Sequence, residues 1–237
     1  MRIIVNGAEG RMGKIVCSLL EQQYGGHSLA AGTDGAGRLA ECKAEADCVI
    51  DFSNHDAIYE VLSYCLEHQR ALILATTGHS EEEKEAVIKA AAEIPIFFSS
   101  NMSIGVALLC DMAKKLAEIF LDGDIEIIER HHNRKLDAPS GTAIMIGNAI
   151  LKARPNAVLR FSRNGHEKRT KEEIGIHSLR LGNITGIHEI IISTAYETIT
   201  LCHEAHDKSL FAEGALAAAS FIEGKSAGLY SMEDLLS

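Results

Sequence analysis

The first hundred residues alternate between short, continuously apolar runs and stretches of helical length. RIIVNG (2–7), SLAAGTD (28–34), CVIDFS (48–53), ALILATT (71–77) and IPIFFSS (94–100) are mostly apolar and end in glycine or small polar residues. Segments 11–24, 56–68 and 80–92 predict helices. The last opens on Ser80 and three glutamates, an N-cap and a first turn whose acids suit the helix dipole. Strands apolar on both faces belong in a parallel sheet covered by helices on both sides.

After residue 103 the period changes. A long helix over about 104–121 leads into DIEIIERHH (124–132), which alternates as a half-buried strand does. A helix follows over about 140–153, then a stretch of low hydrophobicity, 160–173. IHSLRLG (176–182), ITGIHEIIIS (184–193) and YETITLCHE (196–204) predict strands, with Asn183 and Gly186 as turn residues between them. The expected fold class is therefore α/β: an N-terminal parallel-sheet domain over 1–103, then an α+β domain over 104–208 with a mostly antiparallel or mixed sheet. The helical stretch at 209–223 and the tail to 237 are expected to return to the first domain.

Length and charge narrow the function. The 237 residues suffice for one large or two small domains with real cores. A formal net charge of −10 argues against nucleic acid as the main partner. There is no apolar run long enough to span a membrane, and MRIIVNG runs straight into a glycine turn rather than a signal peptide. Cys17, Cys42, Cys48, Cys65, Cys110 and Cys202 show neither C-x-x-C nor metal-ligand spacing, which suits reduced thiols in a cytoplasm and predicts no metal site.

The first strand ends in Gly7-Ala8-Glu9-Gly10-Arg11-Met12-Gly13 and enters a helix. Glycines there permit a tight turn and let backbone N–H groups approach a pyrophosphate. The spacing is a variant of the dinucleotide fingerprint and alone is a weak signal, but Asp34, at the end of the second strand, can accept from an adenosine ribose. That carboxylate would repel a 2′-phosphate, and Gly35 offers no cation, although Arg11 and Arg38 can partly compensate. NADH is expected to be used well, with NADPH as the other candidate. Ala75-Thr76-Thr77-Gly78 and Ser99-Ser100-Asn101-Met102 also follow strands, at the edge where such sheets collect ligands.

The second candidate site is RHHNRKLDAPSGTA (130–143). Five of its first six residues, Arg130, His131, His132, Arg134 and Lys135, can carry positive charge in an otherwise acidic chain. Ser140 is a natural N-cap, and Gly141 and Thr142 would present free backbone N–H groups to an anion. Lys135 and His132 add charge beside them, with Asp137 as an internal counter-ion. The combination suits a carboxylate-bearing substrate. Adjacent side chains of an extended segment point opposite ways, so His131 and His132 divide between a structural role and proton donation.

GAEGRMG, DFS, ATTG, SSNMSIGV, HHNRKLDAPSGTA and HSLRLGNITGIHE, in this order, closely resemble the 4-hydroxy-tetrahydrodipicolinate reductase (dihydrodipicolinate reductase) family from residue 7 to about 189. The resemblance implies a Rossmann-like N-terminal domain, a C-terminal domain that binds substrate and forms a homotetramer, and hydride transfer from NADH or NADPH to a cyclic dicarboxylate of lysine biosynthesis. It implies His131 as proton donor and acceptor and Lys135 as a proton donor. Substrate contacts carry over to His132, Gly141 and Thr142. Cofactor contacts carry over to Gly7, Ala8, Glu9, Gly10, Arg11, Met12, Asp34, Ala75, Thr76, Thr77, Ser99, Ser100, Asn101 and Met102. Two departures stand out: Glu9 puts an acid in the phosphate loop, and the chain looks short for the family. The glycine loop alone would equally suit another two-domain nicotinamide dehydrogenase of a small amino or keto acid. An NADH-sensing regulator would be expected to carry a basic DNA-reading element.

Overall fold

The computed structural model describes residues 1–35 and 38–237 and divides into two compact units, Met1–Ser103 with Lys208–Ser237, and Ile104–Asp207. In the first unit the strands are β1 (Arg2–Asn6), β2 (Ser28–Thr33), β3 (Cys48–Asp51), β4 (Ala71–Leu74) and β5 (Pro95–Phe98). A further strand, β11 (Gly228–Tyr230), is contributed by the tail. They form one all-parallel sheet in the order β11-β5-β4-β3-β1-β2. Ile3, Ile4, Val5, Val49, Ile50, Leu72, Ile73, Leu74, Ile96 and Phe97 are fully buried, as continuous apolar runs require when both faces are covered. Helices α1 (Arg11–Glu21), α2 (Ile58–His68), α3 (Glu81–Ala90) and α6 (Ser209–Ile222) provide that cover.

The chain passes from β1 out to β2, then returns to the far side of β1 for β3, β4 and β5. The direction of winding reverses between β1 and β3, which opens a crevice at the carboxyl ends of those strands. Helix α6 packs against α1, β4 and β5. A Cβ on Gly214 would lie 1.7 Å from the Met102 carbonyl oxygen, so only glycine lets α6 approach the chain after β5. Strand β11 and helix α7 (Met232–Leu236) were not expected from the sequence; at three and five residues they are too short to display a period.

The second unit holds a five-stranded mixed sheet, order β10-β9-β6-β8-β7, built from β6 (Asp124–His131), β7 (Val158–Phe161), β8 (Glu173–Arg180), β9 (Gly186–Ser193) and β10 (Thr198–Ala205). β9 is antiparallel to β6 and β10, whereas β8 runs parallel to β6 and β7. Helices α4 (Ile104–Ile119) and α5 (Gly141–Ala153) supply Leu109, Ala113, Ala117, Ala143, Ile146 and Ile150 to a core with Ile125, Ile127, Ile174, Ile176, Ile190 and Ile192. Two local features differ from expectation. Strand β7 was not expected: it runs into the low-hydrophobicity stretch, whose Arg160 and Phe161 pair with β8. Gly186 is not a turn residue but the buried first residue of β9, paired with Ala205; the turn lies at Gly182 and Asn183. No described helix is long and apolar enough to cross a membrane.

Candidate active site

The crevice of the first unit opens into a cleft of about 480 Å³ lined by Asn6, Gly7, Gly10, Asp34, Phe52 and Ser53, among others. Gly7 has φ +81°, and a Cβ there would stand 2.6 Å from the Phe52 carbonyl oxygen. A Cβ on Gly13 would meet Gly7 O at 2.0 Å, so α1 can start hard against the loop only because both are glycine. The amides of Gly7 and Ala8 donate to Thr33 O, and Gly10 N donates to Gly7 O. Asp34 Oδ2 accepts from Glu9 N at 2.8 Å, which fixes the carboxylate at the mouth of the loop. A turn of this shape, opening a helix with an acid beside it, fits a dinucleotide. The Glu9 carboxylate lies 3.4 Å from Lys14 Nζ, so the departure in the phosphate loop carries its own counter-charge.

Not every expected cofactor residue lines this cleft. Gly7, Gly10 and Asp34 do; Ala8, Glu9, Arg11 and Met12 belong to the same loop and helix start. Ala75, Thr76 and Thr77 follow β4, and Ser99, Ser100, Asn101 and Met102 follow β5, all at the carboxyl edge of the one parallel sheet. Thr77 and Ser100 are exposed there, whereas Ala75, Thr76 and Met102 are buried. The Thr76 hydroxyl is committed to the Asp51 carboxylate, to which it donates a short hydrogen bond. Ser99 Oγ donates to Asn101 O at 2.7 Å, tightening that loop.

Asp51 organises the crevice from below and was not anticipated. Nearly fully buried at the end of β3, it accepts from Asn6 Nδ2 at 2.8 Å and Ser53 Oγ at 2.6 Å. Thr33 Oγ1 in turn donates to Asn6 Oδ1 at 2.9 Å. The last residues of β1, β2 and β3 and the loop after β4 are thereby tied into one polar network beneath the glycine loop, with the buried carboxylate satisfied on both oxygens.

The second constellation is built by β6, β8, β9 and the start of α5. Alternation along β6 turns Ile125, Ile127, Glu129 and His131 to the buried face. Glu129 is fully buried, and its Oε2 lies 2.5 Å from His131 Nδ1. Arg180 straddles the same carboxylate, with Nη1 to Oε2 at 2.8 Å and Nη2 to Oε1 at 2.7 Å. Ser140 N donates to Oε1 at 3.1 Å. Burial alone would raise the Glu129 pKa, but the hydrogen bonds from His131, Arg180 and Ser178 outweigh it and hold the carboxyl well below the usual range. The His131 ring is thus oriented through Nδ1, and its Nε2 edge runs beside Gly186, where a Cβ would come within 3.1 Å.

His188, on β9, packs edge-on against His131 with ring centroids 5.2 Å apart. Burial, seconded by the neighbouring His131, pushes its pKa down to about 4. Ser140 Oγ accepts from Ala143 N as the N-cap of α5 and shares a 3.0 Å hydrogen bond with His188 Nε2. A serine hydroxyl has one proton and two acceptor lone pairs, so it can serve the amide and the imidazole at once. The helix start is therefore locked to the histidine pair through one serine.

Around this centre, Gly141 is exposed at the first turn of α5 and Thr142 is half-buried beside it. Lys135 Nζ lies 2.8 Å from Asp137 Oδ1, and that contact first, against a smaller effect of burial, lowers the Asp137 pKa. His132 donates its backbone N–H to Ile184 O at 2.8 Å and sits half-buried. The remaining cations serve the scaffold: Arg130 pairs with Glu189 across the sheet at 3.1 Å, and Arg134 donates to Asn183 Oδ1 at 2.5 Å. Arg180 Nη2 also donates to Asp137 O at 2.5 Å, joining the loop to the buried carboxylate.

Glu129, Arg180 and His188 were missed in the sequence, although a signal was present for two of them. Glu129 stands in phase with Ile125 and Ile127, and His188 in phase with Ile190 and Ile192, so each places a polar group on a strand's core face. Such positions require a buried partner. Arg180 gave no comparable signal.

Family models agree with this architecture. One described as dihydrodipicolinate reductase, N-terminus, matches residues 1–102, and its C-terminal counterpart matches 105–236. The 4-hydroxy-tetrahydrodipicolinate reductase of Caldanaerobacter subterraneus subsp. tengcongensis is 42% identical over 100% of this chain and 98% of its own length. That of Clostridium novyi is 40% identical over 99% of this chain and 98% of its own. In fold, the chain is similar to a dipicolinate-bound dihydrodipicolinate reductase from Paenisporosarcina sp. TG-14, with TM-score 0.80 at 23% identity over 98% and 97% of the two chains. A more distant likeness, TM-score 0.52 at 13% identity over 95% and 98% of the chains, is to an aspartate dehydrogenase from Thermotoga maritima.

Proposed function

The chain belongs to the dihydrodipicolinate reductase family, and from that premise we propose that it catalyses the NAD(P)H-dependent reduction of 4-hydroxy-tetrahydrodipicolinate to tetrahydrodipicolinate in lysine and diaminopimelate biosynthesis. The observation that carries the reading is the buried Glu129–His131 pair set beside the N-terminus of α5. A proton donor held in one orientation next to a helix N-terminus is what reduction of a carboxylate-bearing ring needs.

The first unit is the dinucleotide-binding domain. Residues Gly7–Met12 take the pyrophosphate, Asp34 the adenosine ribose, and the loops at Ala75–Thr77 and Ser99–Met102 the nicotinamide half. The bound nicotinamide supplies hydride. The second unit holds the substrate: Gly141 and Thr142 bind a carboxylate, His132 orients the ring, and Lys135 adds charge and a proton. His131 releases a proton from Nε2 while Nδ1–H stays on Glu129, and the hydroxylated substrate loses water in the overall reaction. Glu129 and Arg180 touch no reacting atom in this scheme; they are positioning residues. NADH is expected to be used well because Asp34 disfavours a 2′-phosphate. Ile128, Ile187 and Ile191, half-buried on the sheet face away from α4 and α5, support assembly as a homotetramer. Six free cysteines suit a cytoplasmic setting.

The assay is loss of NADH or NADPH absorbance with enzymically generated 4-hydroxy-tetrahydrodipicolinate. Oxidation that requires both protein and substrate is expected. Silence with both nucleotides would remove the assignment.

A further inference from the structure

A cluster of side chains given no part in the reductase chemistry lies where the loop after β3 meets the start of α3. His55 Nδ1 is 3.2 Å from Glu83 Oε1 and 3.4 Å from Asp56 Oδ1, and the three donor atoms lie within 4.8 Å of one another. Donors bound to one four-coordinate d-block ion at its usual bond lengths stand roughly 3.3–3.5 Å apart. Both spacings from His55 fall close to that range.

The surroundings resemble the outer shell of a metal site. Asp56 Oδ2 accepts from Asn54 Nδ2 at 3.3 Å, and Glu83 Oε2 accepts from Ser80 N at 2.7 Å. Each carboxylate is thus held by one oxygen while the other faces His55, the arrangement that orients ligating carboxylates. Behind Glu83 lies His79, its side chain only 1% exposed, packed edge-on to Phe98. Among the described residues neither of its ring nitrogens has a hydrogen-bond partner, and Nδ1 stops 3.6 Å from Glu83 Oε2. A buried imidazole without a hydrogen bond is rare enough to require a reason. With His55 engaged by a cation instead of by Glu83, that carboxylate needs to move only a few tenths of an ångström to accept from His79.

We propose that His55, Asp56 and Glu83 form a binding site for a divalent d-block cation of the zinc type, with His79 as the positioning residue behind Glu83. A ligand set that includes an imidazole beside two carboxylates suits such an ion better than magnesium or calcium, which prefer oxygen alone. The fourth ligand is water, on the side where His55 and Asp56 are open to solvent. Because Asn54 and Asp56 also line the cleft below the glycine loop, the ion would brace that wall.

The test uses Co2+ as a spectroscopic probe of the full-length chain with its thiols alkylated, in the absence of nucleotide and substrate. It therefore succeeds or fails independently of the reductase reading. One equivalent should bind, with the visible d–d bands of four-coordinate cobalt, and Zn2+ should displace it. His55→Ala, a surface change that leaves the fold intact by circular dichroism, should weaken binding about 100-fold, and His79→Phe about tenfold. Glu83→Gln, which keeps an acceptor for the Ser80 amide, should weaken it as much as His55→Ala. Binding no tighter than millimolar, or binding unchanged in His55→Ala, would overturn the site. Undiminished affinity in His79→Phe would overturn the role given to His79.

Discussion

The carboxylate of Glu129 and Nδ1 of His131 face each other at 2.5 Å inside the second unit, two residues apart on one strand. A strand turns alternate side chains to the same face, so the contact follows from sequence spacing once β6 is formed. The pair fixes which ring nitrogen keeps its proton and which one is presented outward.

Glu129→Gln should therefore lower kcat by about 10²–10⁴, the range by which positioned acid–base groups act, while the Kd for NADH hardly moves. The amide also leaves Arg180 without its charge partner. A buried pair broken on one side costs about 3–5 kcal/mol, so the melting temperature should fall as well. A kcat loss with an unchanged pH–rate profile would assign Glu129 a purely structural role, and Glu129→Asp should recover part of the rate.

Much of this site is legible in the sequence. The glycine loop, Asp34 and the Ser140 N-cap are local signals, and the structure forms them as a turn before α1, the residue after β2 and the N-cap of α5. The alternating period of 124–132 likewise marks β6. What stayed hidden depends on pairing between distant segments. Arg180 reaches Glu129 only because β8 lies parallel to β6, which nothing local to either strand encodes. Asp51 reads along the chain as the end of an apolar run; its role comes from the convergence of β1, β3 and the loop after β4 upon it. Arg130 and Arg134 look like part of the anion site when charge is counted along the chain; the sheet sends one to Glu189 and the loop sends the other to Asn183.

Lys135 has a smaller scaffold role, since its ion pair with Asp137 is partly open to solvent and such pairs contribute about 0–1 kcal/mol. Lys135→Ala should then cost kcat about 10²-fold through lost charge and proton donation, with melting temperature and NADH binding nearly intact. Asp137→Asn should change kcat by no more than about threefold on the same reasoning. Steady-state kinetics beside nucleotide titration separate the two outcomes. Unaltered turnover in Lys135→Ala would take Lys135 out of the chemistry.

His188 makes stability depend on acid. Its pKa falls from an ordinary 6.5 to about 4 in the folded chain, chiefly by burial. Between those values the unfolded chain takes up a proton that the folded chain refuses, so stability is complete above about pH 6.5 and declines as pH falls toward 4. At about 1.4 kcal/mol per unit, the loss amounts to a few kcal/mol. Glu129 acts lower down: its depressed carboxyl contributes fully above the ordinary value of 4.5 and loses that contribution as pH falls further. His188→Gln keeps a hydrogen-bonding group for Ser140 and should flatten the melting-temperature profile between pH 6.5 and 4.5, leaving the steeper fall below it. Parallel profiles for the two proteins would contradict the assignment.

Asp34 tests the cofactor preference. Its Oδ2 already accepts the Glu9 amide, so replacing the side chain outright would disturb the glycine loop as well as the charge. Asp34→Asn keeps a carbonyl oxygen for that amide and for a ribose hydroxyl, and removes only the negative charge. Repulsion of a 2′-phosphate by a nearby carboxylate at the protein surface is on the order of 1 to a few kcal/mol. The substitution should therefore raise kcat/KM for NADPH about tenfold, since 1.36 kcal/mol corresponds to a factor of ten. NADH should lose less than that, through a weaker hydrogen bond to the ribose. The ratio of the two specificity constants, measured for both proteins at one ionic strength, isolates the charge. If the ratio stays where it was, the discrimination does not reside in Asp34, and Arg38, which lines the neighbouring pocket with it, becomes the residue to change.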